Sequence, residues 1–218
     1  MAVTADDLVI FDCDGVLVDT EPVANKLLAR IVTDLGHRVS YEDCRRRFVG
    51  RMLEEIQSEI ETAIGRKLGA GWCDGVRART EAAFAEGIEA VPGITRQVKA
   101  LIAAEIPLCV ASSGKLSKMH VTLGQTDLLP LLGHVLYSAE MVGRGKPAPD
   151  LFFHAAAQMG VAPERCVVIE DSVFGVQAGV AAGMRVLGYA ADPLTDDEAL
   201  KVAGATVFHS MDDLPGLL

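Results

Sequence analysis

The sequence is short of positive charge and of long apolar runs. Its 218 residues carry 20 lysines and arginines against 30 aspartates and glutamates, which gives a net charge of −10. Nucleic acids and anionic membranes bind proteins through basic surfaces, so the sequence predicts neither as a partner. The short basic run Arg45–Arg47 lies beside Glu42 and Asp43 and is typical of a solvated helix face. There is no run of about 18 uncharged apolar residues, so no membrane span is predicted.

The cysteines give no sign of a disulfide framework or of a zinc site. Cys13, Cys44, Cys73, Cys109 and Cys166 form an odd set without CxxC or Cys/His spacing, which is typical of reduced thiols. The N-terminal segment carries two acids where a secretory signal would carry positive charge. We therefore expect a cytoplasmic protein.

Aromatic residues are also scarce, at 5%, whereas half of all residues are hydrophobic, a balance typical of α/β enzymes. Short apolar runs alternate with longer helical patterns, and this alternation predicts an α/β fold with a Rossmann-like parallel sheet flanked by helices. The predicted strands are 8–11, 108–112, 135–138, 166–170 and 185–189.

Roughly one hundred residues separate the first two predicted strands, too many for one crossover helix. Three amphipathic patterns fill this gap, over 23–35, 52–64 and 76–84. They predict a helical domain inserted after the first strand. The boundaries that we expect are 1–19 and 89–218 for the sheet domain and 20–88 for the insert.

Polar residues gather where the predicted strands end, which is where open parallel sheets bind ligands. Several carboxylates meeting there would repel one another, and a cation among them is the simplest remedy. Side-chain ligands that are all oxygen favour Mg²⁺ over zinc or copper. The residues concerned are Asp12 and Asp14 after the first strand, Ser112 and Ser113 after the second, Lys146 after the third, and Glu170 and Asp171 after the fourth.

The segment Asp12-Cys13-Asp14 adds chemistry to this predicted site. Residues i and i+2 at a strand end point to the same side, so two carboxylates can flank one reacting atom. One carboxylate can attack phosphorus to give an aspartyl-phosphate while the other handles protons. Gly15 allows the tight backbone exit that such a loop needs.

Four segments, in this order, resemble the four motifs of the haloacid dehalogenase superfamily, in its β-phosphoglucomutase-like subgroup. They are DCDGVLVDTEP at 12–22, VASSG at 110–114, GKPAPD at 145–150 and VIEDS at 168–172, followed by Gly175. The resemblance covers nearly the whole chain. Each motif is weak by itself, but the four together, with a helical insert in the right gap, identify the chain as a member.

The resemblance implies a role for each residue. Asp12 is the nucleophile, Asp14 is the general acid/base, and Ser112 holds a phosphoryl oxygen. Lys146 neutralises the charge of nucleophile and phosphate in the transition state. The implied ligands of Mg²⁺ are the Asp12 carboxylate, the Asp14 backbone carbonyl, Asp171, and Glu170 as a direct or water-mediated ligand.

The inserted helices, 20–88, resemble the mobile cap that closes over the substrate and sets specificity. Arg51 can pair with a second anionic group such as a sugar-acid carboxylate, with a solvated helix-end charge as the alternative. Ser112 and Ser113 can also cap the next helix. The candidate substrate-binding residues are Glu21, Asn25, Gly50 and Arg51 in the insert, and Ser112, Ser113, Gly114 and Lys115 in the sheet domain.

The reaction expected is hydrolysis of a small phosphorylated metabolite, such as a sugar phosphate or sugar-acid phosphate. Dehalogenases of the family lack the second aspartate, so Asp14 favours phosphoryl chemistry. The mutase pattern has a His and an Arg in the cap where Ala24 and Leu53 stand here, which favours a hydrolase over a phosphomutase. A non-catalytic phospholigand-binding protein is a further alternative, which Asp12 and Asp14 disfavour. We expect a monomer or a weak homodimer.

Overall fold

The structure is a computed structural model that describes residues 3–48 and 51–218. The chain divides into two compact units. One comprises Met1–Asp19 and Glu89–Leu218, and the other Thr20–Ile88. The predicted roles of these parts, as catalytic core and specificity cap, stay predictions. Within the described residues, no helix combines the length and the hydrophobicity that crossing a bilayer requires.

The first unit is built on a six-stranded sheet in which all neighbouring strands run parallel. The strands of the chain are β1 Leu8–Phe11, β2 Val18–Asp19, β3 Glu89–Ala90, β4 Leu108–Ser112, β5 Leu136–Ser138, β6 Cys166–Glu170, β7 Arg185–Tyr189 and β8 Thr206–Phe208. The order across the large sheet is β5-β4-β1-β6-β7-β8, and β2 pairs with β3 as a short antiparallel ribbon. The predicted α/β parallel sheet is confirmed, although β5 begins one residue later than predicted. The sequence did not predict β8, which has only three residues.

Helices flank this sheet, and packing fixes the central strand. Leu8 and Ile10 of β1 are fully buried in one cluster with Leu151 and Phe152, which belong to the helix that follows β5. Burying side chains of this size contributes about 1.5–3 kcal/mol each. The helices of this unit are α5 Ile94–Ala103, α6 Leu116–Gly124, α7 Leu129–Leu132, α8 Asp150–Met159, α9 Val173–Ala181, α10 Asp197–Ala203 and α11 Leu214–Leu217, with 3₁₀ turns at Ala139–Met141 and Pro163–Arg165.

Across its described residues, 20–48 and 51–88, the second unit contains four helices around its own apolar cluster. They are α1 Glu21–Asp34, α2 Tyr41–Phe48, α3 Leu53–Ile64 and α4 Trp72–Glu86. The amphipathic patterns predicted α1, α3 and α4, whereas α2 was expected only as the solvated helix face around Arg45–Arg47. The eight residues of α2, YEDCRRRF, are mostly charged, and only Cys44 and Phe48 are buried, too few to give a visible periodicity.

The end of α3 is held by a largely buried carboxylate. Glu61 accepts hydrogen bonds from Lys67 Nζ at 2.6 Å, from the backbone N of Leu68 at 3.0 Å and from Gln57 Nε2 at 3.0 Å. These bonds lower the pKa of Glu61 from 4.5 to about 2. A carboxylate with a lowered pKa stabilises the folded state above its unfolded pKa, and this contribution is lost as the pH falls towards the folded pKa.

We therefore expect the thermal stability of the protein to fall with acid partly through Glu61. Between pH 4.5 and pH 2, the melting temperature of the wild type should drop more steeply than that of Glu61→Gln, because Gln cannot be protonated. Calorimetry across this range measures the two slopes. Glu81→Gln, at an exposed position on α4, is the control and should follow the wild type. Parallel curves for all three proteins would contradict this role of Glu61.

Candidate active site

Three buried charges meet at the carboxyl edge of the sheet. Lys146 Nζ donates to Asp12 Oδ1 at 2.5 Å, to Glu170 Oε1 at 2.7 Å and to the backbone O of Ala111 at 3.0 Å. The exposed fractions of the three side chains are 4% for Lys146, 10% for Asp12 and 1% for Glu170. Asp12 directly follows β1, and its backbone N donates to Ile169 O at 2.9 Å, so the strand ladder fixes its position.

Burial and charge together set the protonation of this cluster. Burial raises the pKa of Asp12 to about 7. The Lys146 ammonium opposes the rise, and the negative charges of Glu170 and Asp14 add to it. Burial also acts to lower the pKa of Lys146, but the charges of Asp12 and Glu170 outweigh it, so the pKa of Lys146 rises above its ordinary value. Lys146 is therefore a permanent cation that compensates two buried carboxylates.

Glu170 is fully engaged by protein donors. Besides Lys146 at Oε1, its Oε2 accepts from the backbone N of Ser172 at 2.8 Å and from Ser172 Oγ at 2.9 Å. A Cβ atom at Gly175 would lie 1.7 Å from Glu170 Oε1, so only glycine leaves space for this carboxylate. These contacts make Glu170 an anchor for Lys146. Its predicted role as a metal ligand stays a prediction.

Asp171 occupies the space beside the loop that follows β1. Gly15 has a φ of +78°, and a Cβ atom there would lie 1.9 Å from Asp171 Oδ2. The absence of a side chain at Gly15 thus admits the Asp171 carboxylate next to the Asp12–Asp14 segment.

Ser112, Asp14 and Lys118 converge beside Gly114. A Cβ atom on Gly114 would lie 3.3 Å from Ser112 Oγ, 3.5 Å from Lys118 Cδ and 3.7 Å from Asp14 Oδ2. Ser112 Oγ accepts from the backbone N of Gly114 at 3.0 Å, and Lys118 Nζ donates to Asp14 Oδ2 at 2.8 Å. Ser138 Oγ, at the end of β5, donates to Gly114 O at 2.8 Å and steadies the loop.

Lys118 and Ser138 were not predicted from the sequence as site residues. Ser138 ends a predicted strand and could have been found by the same rule as the other strand ends. Lys118 lies on α6, and its only signal was its place on the helix that follows the Ser112–Gly114 loop.

The donor set at this edge fits a hard divalent cation. Among residues 3–48 and 51–218, no three His, Cys, Asp or Glu side chains form a ready-made metal cluster. The groups that could hold Mg²⁺ are the carboxylates of Asp12 and Asp171 and the backbone carbonyl of Asp14. Mg²⁺ is commonly held by one or two carboxylates, with waters and substrate phosphate as its other ligands. Cys13 adds no soft ligand, because burial raises the pKa of its thiol well above the ordinary value.

Two of the predicted residues of the sheet domain stand apart from these contacts. Ser113 and Lys115 are exposed. The alternative that Ser112 and Ser113 cap α6 is wrong, because the helix begins after Lys115 and has no side-chain cap. Ser112 instead bonds to Gly114 within its own loop.

The remaining predicted residues belong to the helical unit. Asn25 Nδ2 donates to Glu21 Oε2 at 2.6 Å, which links two of the predicted residues on α1. Arg51 Nη1 donates to Glu59 Oε2 at 2.7 Å and to the backbone O of Arg47 at 3.0 Å. Gly50 lies outside the described residues.

Together, these features define an α/β enzyme with a charged site at the carboxyl edge of a parallel sheet. Residues 7–183 match the family described as haloacid dehalogenase-like hydrolases. The 6-phosphogluconate phosphatase of Escherichia coli K12 is 34% identical over 97% of this chain and 94% of its own length. The chain therefore belongs to the haloacid dehalogenase-like hydrolases, and the predicted enzyme class, a hydrolase of this family with named phosphatase relatives, is confirmed.

Two solved structures share the fold over nearly the full length. A hydrolase of this family from Deinococcus radiodurans R1, solved with bound phosphate and sodium, is 32% identical with a TM-score of 0.86 and covers 99% of this chain and 98% of its own. A Thermotoga maritima protein provisionally described as a β-phosphoglucomutase is 29% identical with a TM-score of 0.82, covering 97% of each chain. The resemblance to that subgroup is thus confirmed.

The space that Gly175 gives to Glu170 leads to a prediction for Gly175→Ala. Alanine favours a helix interior over glycine by about 1 kcal/mol, so α9 by itself should gain stability. The new Cβ would overlap Glu170, however, and Glu170 must move away from Lys146. We expect hydrolysis of p-nitrophenyl phosphate to fall at least about tenfold, because Lys146 then loses an anchor for its predicted electrostatic role.

The control for this prediction is Gly75→Ala. Gly75 is a helical glycine of α4, and a methyl group placed on it would have no neighbouring atom of the described residues within 4 Å, so its replacement should leave the rate unchanged. Equal rates for the two alanine variants would contradict the account of Gly175.

Proposed function

We propose that this protein is a Mg²⁺-dependent phosphatase that hydrolyses a sugar phosphate or sugar-acid phosphate through an aspartyl-phosphate on Asp12. The observation that carries the proposal is the buried contact of Lys146 with Asp12 and Glu170. It keeps a carboxylate desolvated and fixed beside a permanent cation, at the edge where Asp14, Ser112 and Asp171 also lie.

The proposed reaction has two steps that use the same residues. In the first step, Asp12 Oδ attacks phosphorus, the bond from phosphorus to the ester oxygen breaks, and Asp14 donates a proton to the leaving oxygen. In the second step, Asp14 takes a proton from water, the water oxygen attacks phosphorus, and the bond from phosphorus to Asp12 Oδ breaks. This step releases inorganic phosphate and regenerates the Asp12 carboxylate. Lys146 and Ser112 stabilise the charge on the phosphoryl oxygens in both steps.

Mg²⁺ would be held by Asp12, Asp171 and the backbone carbonyl of Asp14. When bound, it would supply charge neutralisation at the phosphoryl oxygens. Glu170 serves first as the hydrogen-bond partner of Lys146, because both of its carboxylate oxygens already accept hydrogen bonds. Contact of Glu170 with the ion through water is compatible with this arrangement.

A sugar-acid phosphate is the substrate class that two observations support best. The E. coli relative is named for 6-phosphogluconate, which carries a carboxylate as well as a phosphate. Arg51 offers a planar guanidinium suited to a carboxylate, and Glu59 and Glu55, at 2.7 and 3.8 Å, hold it in one orientation. We propose that Arg51 receives the carboxylate end of the substrate, with Glu21 and Asn25 as further cap contacts.

Hydrolysis is proposed over the mutase reaction because Ala24 and Leu53 offer no imidazole and no guanidinium at the two positions that the mutase pattern uses. The predicted cytoplasmic location and the monomeric or weakly dimeric state stay predictions.

The proposal is tested with 6-phosphogluconate, hexose 6-phosphates and hexitol phosphates, with phosphate release as the readout. We expect release to require added Mg²⁺ and to stop with EDTA. Asp12→Asn should lower kcat at least about a thousandfold, since nucleophile removal in a covalent mechanism has effects of this order or larger. Asp127→Asn, at an exposed position, is the matched control. Activity of Asp12→Asn near the control value, or full activity in EDTA, would overturn the mechanism.

The same panel separates hydrolase from mutase. Interconversion of hexose 1-phosphates and 6-phosphates faster than phosphate release would replace the phosphatase proposal with the phosphomutase. Phosphate release from the hexose phosphates but not from 6-phosphogluconate would overturn the sugar-acid assignment and leave the mechanism standing.

A further inference from the structure

The site contains a second lysine whose partner is the other aspartate. Lys118 Nζ lies 2.8 Å from Asp14 Oδ2, and the two side chains are 25% and 29% exposed. Lys146, by comparison, donates to Asp12 and Glu170. Each of the two aspartates that flank Cys13 thus has a lysine contact of its own.

We propose that Lys118 is a positioning residue that holds the Asp14 carboxylate in the orientation needed for proton transfer to the leaving oxygen. This inference rests on the proposed function, in which Asp14 is the general acid. A charge-assisted hydrogen bond restrains the rotation of a carboxylate more strongly than a neutral one. Proton transfer in turn requires the carboxylate within hydrogen-bonding reach of the leaving oxygen.

The helix that carries Lys118 is itself fixed by packing, because one face of it is buried. Met119 and Leu123 of α6 are 1% and 0% exposed. Thr122, one helical turn after Lys118, is fully buried and donates to Lys118 O at 3.1 Å. Residues four apart lie on the same helix face, so the packing that buries Thr122 also fixes the backbone from which Lys118 reaches Asp14.

The course of the Lys118 side chain also fits a positioning role. Its Cδ passes 3.5 Å from the place of a Cβ atom on Gly114, the same place that lies 3.3 Å from Ser112 Oγ. The stem therefore runs past the loop assigned to the phosphoryl group, and the ammonium ends on Asp14. In this proposal, Lys118 acts through Asp14 and does not itself contact the reacting atoms.

The leaving group of the substrate distinguishes this role from a binding or structural one. p-Nitrophenolate leaves as a stabilised anion, whereas phenolate is more basic and depends more on protonation by Asp14. Both esters present the same phosphoryl group to the site. A defect in phosphate binding or in folding therefore lowers kcat/KM for both esters by the same factor, and a defect in the general acid lowers it mainly for phenyl phosphate.

The experiment compares kcat/KM for p-nitrophenyl phosphate and phenyl phosphate in the wild type and its variants, with Mg²⁺ present. In Lys118→Met, kcat/KM for p-nitrophenyl phosphate divided by kcat/KM for phenyl phosphate should rise about tenfold or more. General acid–base catalysis contributes roughly 10²–10⁴-fold to a rate, and the expected rise is a part of that contribution. Asp14→Asn should raise the ratio further. Lys118→Arg, which keeps the charge, should have the wild-type ratio. Lys201→Met, at an exposed position of α10, should also have the wild-type ratio.

The ratio does not depend on the fraction of folded enzyme, because an unfolded fraction lowers both rates equally. Equal losses with the two esters, or no loss, in Lys118→Met would overturn the proposal. Lys118→Gln is the second variant, and inactivity of both Lys118→Met and Lys118→Gln with both esters would also overturn it. The proposed function fails in a different way, when the wild type hydrolyses neither ester or Asp12→Asn keeps its activity.

Discussion

The ammonium of Lys146, buried between Asp12 and Glu170, is the interaction on which the rest of the site depends. Removing one partner of a buried ion pair leaves an uncompensated charge, which costs about 3–5 kcal/mol. Lys146 is 134 residues from Asp12 and 24 from Glu170, so this contact joins the end of β1, the loop after β5 and the end of β6. The same charges that bring these segments together create the electrostatic environment that a phosphoryl group requires.

Two glycines make that cluster sterically compatible with the backbone. A side chain at Gly15 would collide with Asp171, and one at Gly175 would collide with Glu170. Glu170 is the last residue of β6 and Asp171 follows it. The carboxylate of each lies in space that is open because the neighbouring residue is glycine. The arrangement of adjacent carboxylates therefore depends on positions that carry no functional group at all.

Much of the fold could be predicted from the sequence, because each strand of four or five residues in the large sheet is mostly apolar and stands out from the helical patterns beside it. The strand-end rule likewise brought Asp12 and Lys146 into one prediction, since the carboxyl ends of parallel strands share an edge. Lys118 was not predicted, because its contact with Asp14 depends on how α6 packs in the sheet domain. No local sequence pattern specifies that packing. The partners of Glu170 were equally unreadable, because a strand-end glutamate can face a cation, a hydroxyl or a metal ion with the same sequence.

The two aspartates that flank Cys13 have different surroundings, and the difference matches the two tasks in the proposed reaction. Asp12 is 10% exposed and fixed by Lys146, as suits a nucleophile that attacks from a desolvated and oriented position. Asp14 is 29% exposed beside Lys118, as suits a group that exchanges its proton with a leaving group and then with water. In the proposed reaction, two side chains that are two residues apart at one strand end thus take separate roles because different lysines contact them. A buried lysine from a loop, Lys146, and a partly exposed lysine from a helix, Lys118, thus allow one pair of carboxylates to serve in both steps of the proposed reaction.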